Sequence, residues 1–159
     1  MSYVVDASVV TKALASEAGS DAASEVMKLP LIAPDLLAAE CLNALRKKVL
    51  RGVLTADQAA ALAQVLERAP IIFEHSQPVL ARALELSLRL SHSVYDCVYL
   101  ALAERFNCVL ITADEKLVSR CRQPDAPELF ARVRSLSEPL PSMIQERVFR
   151  PYMARRKAA

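Results

Sequence analysis

Short runs of β-forming residues, each separated from the next by stretches of helical character, constrain this chain more than any other feature. Tyr3-Val4-Val5, Leu31-Ile32-Ala33, Ile71-Ile72-Phe73 and the run from Cys108 to Ile111 read as buried strands, and Ala131 to Leu136 as an edge strand. A helix starts directly after Asp6, and a second, opened by Ser20 and Asp21, ends near Pro30. A long one opens at Pro34-Asp35 and runs to Arg51, where Gly52 supplies the left-handed stop. Thr55-Ala56-Asp57-Gln58 matches a capping box for the next helix, which ends before Pro70. Pro78 suits the first turn of a helix running to about Leu90, whose stripe of Leu80, Ala83, Leu84 and Ser87 reads as core. Asp96 opens an apolar helix closed by Asn107, and Asp114 begins a last one to about Cys121. Such alternation implies an α/β fold, a three-layer α/β/α domain around a central, mostly parallel five-stranded sheet.

With 159 residues the chain is long enough for one domain with a full core. That domain is expected over residues 1–136. Residues 137–159 read as an extension with Pro139, Pro141 and Pro151, a short helix from Ser142 to Arg150, and a basic end at Arg155-Arg156-Lys157. The basic end is read either as a frayed terminus or as a dimer or phosphate contact.

A net charge of +2 does not announce a nucleic-acid binder, so any such role must come from local patches. No signal peptide and no membrane-spanning run is expected, and a cytoplasmic protein without a membrane partner follows. The cysteines, Cys41, Cys97, Cys108 and Cys121, form no C-x-x-C pair and read as small hydrophobes in a reducing compartment. A zinc site from them with His75 and His92 is disfavoured, since no ligand spacing fits.

Chemistry points instead to carboxylates. Asp6, Glu40, Asp96 and Asp114 each stand at the end of an element or on the border of a buried stripe, flanked by apolar residues. Asp6 and Asp114 follow strands on the same edge of a parallel sheet, where ligands of open α/β sheets bind. Plainer readings exist: Asp6 suits an N-cap, and Glu40 lies at the edge of a stripe of Leu37, Cys41, Ala44, Leu45 and Lys48, where a side chain is usually solvated. Four acids in one place would repel and some would take up protons, a conflict a divalent cation removes. Oxygen ligands favour Mg²⁺ or Mn²⁺, and such an ion activates water for attack on a phosphodiester. No Ser or Cys with a paired base points to a covalent intermediate.

Val5-Asp6-Ala7-Ser8, Pro34 to Glu40 with Asn43, Tyr95-Asp96-Cys97-Val98-Tyr99-Leu100-Ala101-Leu102-Ala103 and Leu110-Ile111-Thr112-Ala113-Asp114 resemble the four motifs of the PIN-domain family. Within it the chain is similar to the VapC-type toxins of prokaryotic toxin–antitoxin pairs, over about residues 1–136 and in the family's order. The resemblance implies a Mg²⁺-dependent endoribonuclease whose acidic quartet is Asp6, Glu40, Asp96 and Asp114. Asp6 and Asp96 would be the most direct metal ligands, with Glu40 and Asp114 completing the site. Thr112 matches the hydroxyl that supports the quartet, and Ser8 follows the first acid. A homodimer and a small antitoxin covering the site are further implications. Cys97 departs from the pattern, standing where the family more often has Ala.

For the substrate, Arg46, Lys47, Lys48 and Arg51 lie one or more turns beyond Glu40. They read either as phosphate contacts or as a cationic end complementing the helix dipole. Asn43 and Lys47 share Glu40's side and are the expected substrate contacts. Alternative functions on the same fold are a binding module without catalysis and a DNA-directed metal-dependent nuclease.

Overall fold

A computed structural model describes residues 2–15 and 18–139. The expected helix over 142–150 and the basic end of the extension lie outside the described residues.

The strands are β1 (Tyr3–Val5), β2 (Leu31–Pro34), β3 (Ile71–Glu74), β4 (Val109–Thr112) and β5 (Val133–Ser135). They form one sheet in the order β3-β2-β1-β4-β5, and every pairing is parallel. The helices are α1 (Ala7–Ala15), α2 (Ser20–Val26), α3 (Leu36–Leu50), α4 (Ala56–Glu67), α5 (Leu80–Leu90), α6 (Val94–Arg105) and α7 (Glu115–Cys121). Parallel neighbours require crossovers, and right-handed crossovers place α1–α4 on one face and α5–α7 on the other. The expected three-layer α/β/α architecture is therefore the one observed.

Strand order matters for function. The chain leaves β1 toward β2 on one side, then returns to add β4 on the other, so β1 and β4 flank the switch point of the sheet. A crevice opens there, beyond the carboxyl ends of the two strands. Val4 pairs with Leu110 and Val5 with Ile111, and Asp6 N–H donates to the Ile111 carbonyl at 3.1 Å. The residues following the two strands are thereby locked side by side.

α6 explains itself through composition. Cys97 to Ala103 are buried without interruption, so the helix has no solvated face along that stretch. A helix apolar all round belongs inside, and α6 packs against β1, β2 and β4 on one side and α5 on the other. Its termini are specified locally: the Ser93 hydroxyl caps the start by accepting from Tyr95 N–H at 3.2 Å, and Asn107, in the left-handed region at φ 51°, lets the chain turn into β4. The Thr55–Gln58 capping box of α4 forms as its sequence requires.

Three expectations change. The run 131–136 contributes only Val133–Ser135 to the sheet, because a 3₁₀ turn over Pro127–Arg132 consumes its start. Pro78 lies in a 3₁₀ turn, Gln77–Val79, that precedes α5 instead of in α5 itself. The leucine stripe of α5 is not core: Ala83, Leu86 and Leu90 are buried, while Leu80, Leu84 and Leu88 are exposed. Leucine at alternate positions from 84 to 90 makes two sides of the helix apolar, and α6 covers only one of them.

Leu100 is fully buried in α6, whereas Leu88 is 73% exposed. Leu100→Ala is expected to lower unfolding free energy by about 2–5 kcal/mol. Leu88→Ala should change it by less than about 0.5 kcal/mol. Urea denaturation midpoints compared among the three proteins check both.

Candidate active site

Each acid reaches the switch-point edge from a different element. Asp6 follows β1 directly and is only 6% exposed. A carboxylate buried to that degree needs partners, and it has them. Its Oδ1 accepts from Ser8 N–H at 3.2 Å, and its Oδ2 accepts from the Ser8 hydroxyl at 2.8 Å and from the Thr112 hydroxyl. The cap reading and the site reading of Asp6 thus coexist, one oxygen serving the first turn of α1 and the other facing β4.

Thr112, fully buried at the end of β4, also accepts from Asp114 N–H at 2.9 Å. Ser8 Oγ accepts from Ala113 N–H at 3.1 Å. Two hydroxyls therefore bridge the strand ends and fix the first acid relative to the fourth. Asp114 is the N-cap of α7, its Oδ1 accepting from Lys116 N–H at 2.8 Å and Leu117 N–H at 3.2 Å. That leaves Oδ2 directed elsewhere.

Glu40 stands in the second turn of α3, half-buried, and accepts a hydrogen bond from the Tyr99 hydroxyl. Asp96 lies in the first turn of α6. Burial pushes the Glu40 carboxyl above its usual range, the Tyr99 bond opposes this, and the charges of Asp6 and Asp96 push further upward. Burial likewise raises Asp96, with Asp6 and Asp114 adding to the rise and His92 opposing it. Acids distant in sequence thus oppose ionisation in pairs, Asp6 and Asp96 that of Glu40, and Asp6 and Asp114 that of Asp96.

His92 was not expected at this place. Its Nε2 lies 3.1 Å from Asp96 Oδ2 and 3.2 Å from Asp114 Oδ2. His92, Asp96 and Asp114 offer three donor atoms within 4.8 Å of one another, the one such grouping of metal-ligating side chains among the described residues. Although His92 is four residues before Asp96, it precedes α6, and the turn at Ser91 brings its ring to the carboxylates. His75, by contrast, pairs with Asp35, its Nδ1 3.3 Å from the carboxylate.

Two depressions open nearby, one at Glu40 and one at His92. One of about 270 Å³ is lined by Ser8, Thr11, Lys12, Glu40 and Ala44 among others. Another of about 600 Å³ is lined by His92, Lys116, Ser119 and Arg120 among others. Asn43 and Lys47 are exposed on α3 and line neither of these two. Lys12, Lys116 and Arg120 are cations that the pattern of the sequence did not single out.

The thiols take no part. All four cysteines are buried and unpaired, Cys121 included. Burial raises each of them, Cys41 and Cys121 to about 11 and Cys97 to about 12. None is a thiolate at neutral pH, so none is a ready nucleophile.

Comparison with known proteins agrees with this architecture. The PIN domain family profile matches residues 3–122. Ribonuclease VapC1 of Mycobacterium tuberculosis is 35% identical over 120 residues, covering 73% of this chain and 88% of the relative. Ribonuclease VapC3 of Pyrobaculum aerophilum is 35% identical over 126 residues, covering 76% and 95%. The crystal structure of PAE2754 from Pyrobaculum aerophilum superposes with a TM-score of 0.60 at 23% identity, covering all of this chain and 91% of that one, a likeness of fold.

Glu40 provides a test of the crowding. Its raised value means that the folded chain holds this proton more readily than the unfolded chain, so ionising it costs stability as pH rises through the carboxylate range. Glu40→Gln keeps an acceptor for Tyr99 and removes the charge. In chelator-treated protein at pH 7 the variant should melt at a higher temperature than the wild type. The gap should close below about pH 4, where Glu40 is protonated in both states. Calorimetry across that range checks the sign.

Proposed function

The chain belongs to the PIN domain family and within it is of the VapC type, and from this premise we propose that it is a metal-dependent endoribonuclease, the toxin of a toxin–antitoxin pair. The observation that supports the reading is the mutual repulsion around Asp96 and Glu40, each raised by burial, by Asp6 and by a further acid, with Thr112 tying Asp6 to the backbone of Asp114. Retaining four acids there is costly in a protein without a counter-charge.

The residues present suit a divalent cation. Carboxylates are hard donors of the kind Mg²⁺ and Mn²⁺ accept, and the buried His92 Nε2, which has no hydrogen bond among the described residues, leaves a further donor atom at the same place. A bound Mg²⁺ or Mn²⁺ would supply water activation and neutralise charge developing on the phosphodiester. Asp6 and Asp96 would hold the ion most directly, with Glu40 and Asp114 completing the site. Thr112 and Ser8 keep the Asp6 carboxylate in one orientation through their hydroxyls. Tyr99 does the same for Glu40.

For the substrate, Asn43 and Lys47 lie one and two turns along α3 from Glu40, and Lys116 and Arg120 project from α7 beside His92. Cations on both sides of the acids suit an RNA backbone passing over the site. With a net charge of +2, binding should rest on these few contacts and weaken steeply with salt. The exposed Leu80, Leu84 and Leu88 stripe of α5 is the surface we assign to a homodimer, since contiguous exposed apolar area marks interaction sites. A small antitoxin that covers the acids completes the assignment. No helix among the described residues is long and apolar enough to cross a membrane.

Asp6→Asn and Asp96→Asn should each reduce Mg²⁺-dependent RNA cleavage by at least about a hundredfold while the fold persists, in line with the loss of a main source of transition-state charge stabilisation. Gel-resolved cleavage of RNA and of single-stranded DNA, with and without Mg²⁺, checks this; cleavage undiminished in both variants would remove the acids from the mechanism. A separate measurement addresses the dimer. Leu84→Asp with Leu88→Asp should convert a dimer to a monomer in light scattering coupled to gel filtration, and an unchanged mass would place the interface elsewhere.

A further inference from the structure

His92 is held in place before any ligand arrives. Ser91 adopts the left-handed conformation at φ 49° that ends α5, and His92 N–H donates to the Ser87 carbonyl at 3.1 Å. The Ser87 hydroxyl donates to the His92 carbonyl at 2.6 Å. Both backbone groups of residue 92 are thus tied to α5, and its ring reaches toward the start of α6.

At the other end of the side chain, Nε2 is buried and makes no hydrogen bond, although carboxylate oxygens lie 3.1 and 3.2 Å away. The spacing has a different meaning in coordination chemistry. An ion with six ligands at about 2.1 Å holds adjacent donor atoms about 3 Å apart. Nε2 stands at that separation from both Asp96 Oδ2 and Asp114 Oδ2, and all three atoms fall within 4.8 Å of one another.

We propose that His92 Nε2 enters the coordination sphere of the divalent cation together with Asp96 and Asp114, giving the site a mixed nitrogen–oxygen donor set that favours Mn²⁺ over Mg²⁺. The inference rests on the metal-dependent reading above and narrows it. Mg²⁺ prefers oxygen and dehydrates reluctantly, whereas an imidazole nitrogen suits first-row transition ions.

The test uses untagged, metal-stripped full-length protein as wild type, His92→Ala, His92→Gln and Asp96→Asn, with circular dichroism confirming that each is folded. Mn²⁺ and Mg²⁺ are titrated calorimetrically, and the Mn²⁺-loaded proteins are examined by pulsed electron paramagnetic resonance for coupling to an imidazole nitrogen. The chain has two histidines, and His75 sits against Asp35, so such a coupling identifies His92. We expect the coupling in the wild type and its loss in both His92 variants. Mn²⁺ affinity should fall about tenfold or more and Mg²⁺ affinity by much less. Mn²⁺ bound in an Asp96-dependent manner without nitrogen coupling, or equal losses for the two metals, would overturn the role of His92 and leave the carboxylate site standing. A wild type that binds neither metal, or binds both equally well after Asp96→Asn, would bring down the carboxylate site and His92's role together.

Discussion

The Asp6 carboxylate, buried between the ends of β1 and β4, is the constraint that orders the rest of the site. A charge in that position is tolerable only because the Ser8 hydroxyl, the Thr112 hydroxyl and Ser8 N–H all donate to it. Those donors belong to the segments that the sheet register has already aligned, since Val5 pairs with Ile111 and Asp6 N–H continues the ladder. Fold and site are therefore coupled through one group. If β1 slipped by a residue against β4, Val5 and Asp6 would exchange faces, and the hydroxyls would lose their acceptor.

Around that fixed acid the other carboxylates are arranged in graded fashion. Glu40 is steadied by Tyr99, Asp114 by the first turn of α7, and Asp96 by proximity to His92. Each partner relieves part of the cost, yet burial and neighbouring charge still raise Glu40 and Asp96. An arrangement kept for stability alone would gain by replacing one of these acids with a neutral residue. What remains is a concentration of negative charge in which Asp96 Oδ2 and Asp114 Oδ2 converge beside His92 Nε2.

Much of this was legible in the sequence because its causes are local. Asp6 after Tyr3-Val4-Val5 and Asp114 after the apolar run ending at Ile111 are strand-end acids by pattern alone, and a parallel sheet puts such residues on one edge. The seamless apolar face of α6 announced burial, and the Thr55 box announced α4. What escaped were features decided by packing. His92 lies outside every apolar stripe and acquires its neighbours only through the turn at Ser91. The leucines of α5 could not be divided into buried and exposed sets without knowing that α6 covers a single side. The shortening of β5 to Val133–Ser135 follows from the 3₁₀ turn before it, which the same β-forming run conceals.

The distribution of cations bears on how a polyanion would meet the acids. Lys12 stands in the first helix beside the depression at Glu40, while Lys116 and Arg120 stand in the last helix beside the depression at His92. The two groups come from opposite ends of the described chain, because α1 follows β1 and α7 follows β4, the adjacent central strands, and the Lys12 ammonium donates to the Ala18 carbonyl at 3.1 Å. Long-range attraction is modest at a net charge of +2, so on the proposed reading a polyanion would be held mainly by short-range contacts. The same doubly wound topology that brings the acids toward one edge thus also brings cation-bearing helices to that side of the sheet.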